Sequence, residues 1–277
     1  MNKFDEVYQN IIRDIMENGS NDFNQRTGML TKAKAGVSFS LDLEKDGFPI
    51  LTLRKQPIKS PIAEQVWFLQ GTDDVTFLRK YTKIWDAFLD DNGKLKSSYG
   101  YRWRKAFKKD QILEIVKMLK LDPSSRHGVV ITWDPNDDGF LGTQKKNVPC
   151  PYTFTVMIIG GRLCLHNIVR SNDMILGMPF DVFGFALLQS IIAQEVGVPV
   201  GIYTHSISNA HIYENHFDAA KELLNRELGH AKIVLDLPKD TYERACSGDT
   251  RIVDEIYDKL ITQYKPQQAI NGLSIAL

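Results

Sequence analysis

The chain has 277 residues, 43% hydrophobic and 25% charged, enough to bury a large core in one or two domains. Lys+Arg and Asp+Glu both total 34, so the formal net charge is zero, which argues against a nucleic-acid or membrane-surface binder while permitting a local basic pocket. Three cysteines without C-x-x-C spacing point to neither a disulfide framework nor a metal site. With no apolar leader and no run of eighteen apolar residues, the expectation is a soluble cytoplasmic protein.

The first predicted element is a helix from Phe4 to Asn18, with Phe4, Val7, Ile11, Ile12 and Ile15 on one stripe and Gly19 as its stop. A polar loop, Asn24 to Gly28, precedes a half-buried strand from Gly36 to Leu43, where Val37, Phe39, Leu41 and Leu43 alternate with polar partners. An apolar helix over Ile62 to Leu69 is expected to start from Ser60 as N-cap, with Pro61 in its first turn, and to end at Gly71. It carries one acid, Glu64, which either reaches solvent or serves the chemistry.

Residues 72–109 are irregular and aromatic, the composition of a binding wall or of a set of core anchors. A short helix (Gln111 to Leu121), a turn (Asp122 to Gly128) and a buried strand (Val129 to Trp133) follow, then a polar insertion from Asp134 to Asn147. Tyr152 to Ile158 and Leu163 to Val169 read as a hairpin about Gly160-Gly161. Val182 to Val196 is a helix apolar on most of its circumference. Beyond it are predicted a strand (Val200 to Ile207), a helix (Asn215 to Leu228), a short strand near Ile233, a charged helix (Val253 to Tyr264) and an apolar end, Leu273 to Leu277. With no linker, repeat or low-complexity segment, the expectation is a single α+β domain over 1–277 with a large sheet.

Cys150 stands between Pro149 and Pro151, two residues that fix φ on either side of the thiol just before a strand. A lone cysteine is more often structural than reactive, and Cys164 and Cys246 default to structure. The segment that follows Cys150 changes its reading. Arg170-Ser171-Asn172-Asp173 and Leu176-Gly177-Met178-Pro179-Phe180-Asp181 resemble the nucleotide-binding stretch of the thymidylate synthase family. Arg26-Thr27-Gly28, Asp46-Gly47-Phe48-Pro49, Trp67-Phe68-Leu69-Gln70-Gly71, Ile84-Trp85-Asp86, Tyr99-Gly100, Ser124-Ser125-Arg126, Pro149-Cys150 and His211-Ile212-Tyr213 follow the same family order over roughly residues 20–217.

The resemblance implies a homodimer with the large twisted sheet packed at its interface, a pyrimidine nucleoside monophosphate as substrate and 5,10-methylenetetrahydrofolate as co-substrate. It implies Cys150 as the nucleophile that adds to C6 of the base, a role for which a thiol needs a lowered pKa that nearby arginines can supply. Arg26, Arg170, Ser171 and, from the other subunit, Arg126 match the phosphate ligands; His211 and Tyr213 match the groups on the sugar hydroxyl. Glu64 matches the carboxylate that organises proton transfer. Trp85, Tyr99, Asp173 and the terminal Leu277 match residues beside the folate, Asp173 also standing in the nucleotide-binding stretch.

The departures concern the base. Asp181 stands where the family usually has asparagine, and Asn172 where it usually has cysteine, as in deoxycytidylate hydroxymethylases. A neutral carboxyl donates once and accepts once, matching N3 and the 4-amino group of cytosine; uracil presents the inverse edge. The alternative is that Asp181 merely caps the helix at Val182. Pro151, His127 and Asn209 also replace the usual residues. The expected activity is 5-hydroxymethylation of dCMP; the alternatives are a methylated product, dUMP or CMP as substrate, and a non-catalytic nucleotide- or RNA-binding relative.

Overall fold

The computed structural model describes residues 2–139, 148–229 and 231–275. Helix α1 (Lys3–Asn18) is capped by Asn2, whose Oδ1 accepts from the Phe4 amide at 3.1 Å. Of the predicted stripe, Phe4, Ile12 and Ile15 are buried together with Tyr8, while Val7 and Ile11 are half-buried. Asp5 is buried beside them and accepts from the amides of Thr52 (2.8 Å) and Gly229 (3.2 Å), tying the helix to two distant segments.

Strands β1 (Ser20–Asn24) and β2 (Met29–Asp42) form a hairpin, so β2 begins well before the predicted Gly36. β1 is mostly polar and exposed and has no alternation to read; pairing with β2 alone makes it a strand. Helix α2 (Lys59–Gln70) also starts early. Ser60 lies inside its first turn and Ile58 is the capping position, without a side-chain bond, which corrects the expected Ser60 cap. Pro61 is tolerated because amides in the first turn have no intrahelical acceptor to lose. Between α2 and the next long helix come the 3-10 turns Leu78–Lys80 and Ile84–Phe88, the single turn α3 (Tyr99–Tyr101) and a π-turn at Arg102–Ala106. Glycine is required at position 100, where a Cβ would lie 2.1 Å from the Phe68 carbonyl oxygen.

Helix α4 (Gln111–Leu121) has the predicted bounds. Strand β3 (Val129–Ile131) was expected to be buried, but it is a sheet edge, and only Val130 is covered. The polar insertion lies outside the described residues from 140 onward. Strands β4 (Pro151–Ile159) and β5 (Arg162–Val169) form the predicted hairpin about Gly160-Gly161, both at positive φ. The two-residue β6 (Asn172–Asp173) then leads to helix α5 (Met178–Val196) and strand β7 (Val200–Tyr213). α5 starts four residues before the predicted Val182, is buried along most of its length, and forms the crossover that lets β5 and β7 pair in parallel.

The sheet runs β1-β2-β7-β5-β4-β3, with β6 alongside β7. It is mixed and flanked by helices, an α+β architecture as expected. Helix α6 (Phe217–Leu224) is shorter than predicted because Glu214–His216 forms a 3-10 turn and the helix stops at Asn225. No strand forms near Ile233 among the described residues. Helix α7 (Thr241–Ser247) was not predicted, and α8 (Arg251–Ile261) begins and ends slightly before its predicted bounds; both pack on α2. No helix among the described residues is long and apolar enough to cross a membrane.

Candidate active site

The β4–β5 register pairs Pro151 with Val169, so Cys150 and Arg170 face one another just past the ends of two adjacent strands. The Arg170 amide donates to the Cys150 carbonyl (2.9 Å), its Nε to the Pro149 carbonyl (2.9 Å), and its Nη2 to the Val148 carbonyl (2.8 Å). The same Nη2 lies 3.8 Å from Cys150 Sγ, and the guanidinium sits over the Trp133 ring at 5.9 Å. One arginine therefore both locks the proline-flanked turn and places positive charge beside the sulfur.

The thiol pKa is nevertheless raised. Burial is the largest cause; Arg170 and Arg26 pull it down, and the Asp181 and Asp173 carboxylates push it up. The expected depression of the thiol by arginines is thus corrected for the protein without nucleotide: burial outweighs their charge, and two acids in the same pocket partly cancel it.

β6 pairs in parallel with the end of β7, Asn172 with Ala210 and Asp173 with His211, and this carries the Arg170–Asp173 segment alongside the His211–Tyr213 segment. His211 and Tyr213 lie on one side of β7 with ring centroids 4.9 Å apart. His211 is held by Asn209 (Nδ1 to Oδ1, 3.1 Å), and burial lowers its pKa. Arg26 is exposed on the β1–β2 turn, and its charge opposes the rise that burial causes in the Tyr213 hydroxyl pKa. Asp173 Oδ1 accepts from the amides of Ile175 (2.8 Å) and Leu176 (3.2 Å), which fixes its carboxylate. Ser171 lies in the same short connection between β5 and β6.

A second wall comes from α2 and the irregular segment after it. Glu64 Oε1 accepts from Trp85 Nε1 at 3.0 Å. Trp85 packs edge-on against Tyr99 (5.7 Å) and Phe88 (6.0 Å), and Tyr99 lies tilted on Phe68 (5.1 Å). Burial raises the Glu64 carboxyl to about 7, the Trp85 bond opposes this, and Asp181 adds to it. Tyr99 is raised well above its usual value, chiefly by burial and further by the charges of Cys150 and Asp181.

Asp181 is no cap. It lies four residues into α5, where the N-terminal residue makes no side-chain capping bond, and its Oδ2 accepts from Asn172 Nδ2 at 2.8 Å. Burial raises this carboxyl, too, to about 7. Two carboxyls poised near neutrality beside a thiol and two arginines make an acid–base site with an anion-binding side.

Arg126 is not in this group. The register Val129–Thr155 puts its turn toward the opposite end of β4 from Cys150, and it is exposed there. Leu277 lies outside the described residues. The sequence reading missed Trp133, Tyr203 and His205. Their signal was faint: Tyr203 and His205 are polar groups in the buried register of an alternating strand.

The fold and these groups define an enzyme site for nucleophilic chemistry on an anionic substrate. The family model described as thymidylate synthase matches residues 6–275, and the chain belongs to the thymidylate synthase family. Membership makes it a methylenetetrahydrofolate-dependent one-carbon transferase acting at C5 of a pyrimidine nucleotide. The residues fit the folate: partly exposed faces of Trp85, Phe88 and Tyr99 suit a flat ring system, and the amide-held Asp173 carboxylate suits its ring donors.

Proposed function

We propose that this protein 5-hydroxymethylates dCMP. The observation that carries the reading is Asp181: its Oδ2 is pinned by Asn172 and its carboxyl is raised to about 7, so the neutral form is available at neutral pH. That form donates to N3 of cytosine through one oxygen and accepts from the 4-amino group through the other, and it meets uracil with the wrong order.

In this reading Arg26, Arg170 and Ser171 hold the phosphate, with Arg126 of a second copy, and His211 and Tyr213 hold the sugar hydroxyl. Methylenetetrahydrofolate, held by Trp85, Tyr99, Asp173 and Leu277, supplies a single carbon at the oxidation level of formaldehyde. Cys150 adds as thiolate to C6, which makes C5 nucleophilic, and Arg170 stabilises the anion of the sulfur. Glu64 orders the water through which the C5 proton leaves. C5 takes up the donated carbon, tetrahydrofolate leaving with the electrons of the carbon–nitrogen bond once the C5 proton is lost; water then adds to the exocyclic methylene and releases a proton, and the Cys150 sulfur departs as C6 regains its double bond.

A homodimer is part of the proposal. The sheet face turned away from Phe39 and His205 carries paired hydroxyls, Ser38 with Ser206 (2.9 Å) and Ser40 with Thr204 (2.8 Å), suited to packing on a second copy. An inactive Arg126→Ala protein mixed with an inactive Cys150→Ala protein then regains turnover; a mixture that stays inactive argues that Arg126 serves no partner.

The test of the reaction is tritium release from C5 of dCMP and dUMP in parallel, with methylenetetrahydrofolate present. The expected result is release from dCMP, a product with the mass of the hydroxymethyl nucleotide, and no absorbance from dihydrofolate. Dihydrofolate formation would give the methylated product instead, and release from dUMP alone would overturn the cytosine assignment.

A further inference from the structure

Behind Asp181 runs a buried chain of hydrogen bonds that touches none of the groups proposed to hold folate or phosphate. Asn172 Nδ2 donates to Asp181 Oδ2 at 2.8 Å, which turns Asn172 Oδ1 toward His205 Nε2 at 3.1 Å. An amide oxygen only accepts, so His205 carries its hydrogen on Nε2. His205 Nδ1 must then accept, and the Tyr203 hydroxyl donates to it at 2.8 Å, while Asn167 Nδ2 lies 3.4 Å from the same nitrogen. Every group in the chain is at most 3% exposed except Asp181 at its end. Two features of the fold build it. The two-residue period of β7 puts Tyr203 and His205 on the same inward face, and the register across β2, β7 and β5 sets Phe39, His205 and Asn167 side by side, with the Phe39 ring 5.5 Å from His205.

We propose that Tyr203, His205 and Asn172 form a one-directional hydrogen-bond chain that sets which oxygen of Asp181 accepts and which is left to carry hydrogen, making His205 and Tyr203 positioning residues for base selection. The inference rests on the reading of Asp181 as the group that meets the base. The chain could run the other way only with the hydrogen on His205 Nδ1, where it would face the Asn167 Nδ2 donor 3.4 Å away, so the order from Tyr203 through His205 to Asn172 is the favoured one. In that order Oδ2 of Asp181 accepts from Asn172, and the hydrogen of the neutral carboxyl is favoured on Oδ1. Released from His205, the Asn172 amide rotates freely, the hydrogen can move to Oδ2, and the order of donor and acceptor shown to the base is lost.

The experiment compares kcat/KM for dCMP and dUMP in the wild type, His205→Phe, Tyr203→Phe and His205→Gln, with folding checked by circular dichroism. His205→Phe keeps a ring against Phe39 but removes both nitrogens, and the dCMP:dUMP ratio falls about tenfold, the cost of one lost buried partner. Tyr203→Phe lowers the ratio in the same direction by a smaller factor. His205→Gln restores a donor to Asn172 and holds the ratio within about threefold of the wild type. If His205→Phe does not fold, Tyr203→Phe, which removes one oxygen atom, decides alone. A loss of activity equal for both nucleotides, with the ratio unchanged, would overturn the inference and leave the chain a structural one. A His205→Gln ratio as low as that of His205→Phe would refute the donor role. A wild type that turns over dUMP in preference to dCMP instead overturns the cytosine reading itself.

Discussion

Replacing Asp181 by Asn removes a carboxyl that burial has raised from 3.8 to about 7. Between those two values the folded protein holds a proton that the unfolded chain has released. Native proteins that bind more protons than their unfolded chains lose stability as pH rises, so this site's contribution is fully present below about 4 and is lost as pH climbs to about 7. An interval of about three pH units at ~1.36 kcal/mol each sets a ceiling of roughly 4 kcal/mol. Relaxation and water entry at a partly exposed group bring the expected effect to about 2 kcal/mol. The asparagine carries no charge at any pH, while its Oδ1 can still accept from Asn172. At pH 8 Asp181→Asn should therefore melt about 4–8 °C above the wild type, and at pH 4.5 the two should coincide. Circular dichroism melts at pH 4.5, 6 and 8 measure this directly. A Tm difference that is the same at all three values, or a wild type that is the more stable at pH 8, would refute the argument that burial destabilises the ionised carboxyl.

Three further outcomes follow from the same geometry. Asp181→Asn removes a negative charge that raises the Cys150 thiol and Arg170→Ala removes a positive one that lowers it; iodoacetamide modification at pH 8 should quicken in the first and slow in the second, each by up to about tenfold, and the reverse order would contradict the charge assignment. Glu64→Gln keeps an oxygen for Trp85 Nε1 but no longer titrates; tritium release should fall by about 10²–10⁴ with dCMP affinity, read by calorimetry, changed less than about threefold, whereas lost binding would make Glu64 a ligand contact rather than an acid–base group. Gly100→Ala forces a methyl against the Phe68 carbonyl oxygen and should cost about 1–3 kcal/mol in urea unfolding; an unchanged midpoint would mean that α3 moves freely over α2.

The amino-acid sequence alone determined the elements whose stabilising pattern is local. α1, α4 and the β4–β5 hairpin came out close to their bounds because helical stripes, an apolar run and a Gly-Gly turn act within a dozen residues. The motifs about Cys150, Arg170 and Asp181 were equally legible, since their residue types carry the chemistry wherever the chain puts them. Elements that depend on partners were not. β1 has no hydrophobic pattern and is a strand only because β2 lies beside it, and β3 looked buried because nothing local tells an edge from a centre. α7 is too short to announce itself.

The site divides along the same line. Tertiary structure decided the protonation of its groups: the sequence placed arginines near the thiol, but only the fold showed the burial that raises the thiol despite them, with two carboxylates opposing their charge, and that raises Glu64 and Asp181 to about 7. It decided, too, that Asp181 ends a hydrogen-bond chain rather than capping a helix, because that chain joins β6 to the inward face of β7, thirty residues away. Burial and charge act through space, and a pattern read along the chain holds no record of which distant groups the fold brings within a few ångströms of each other.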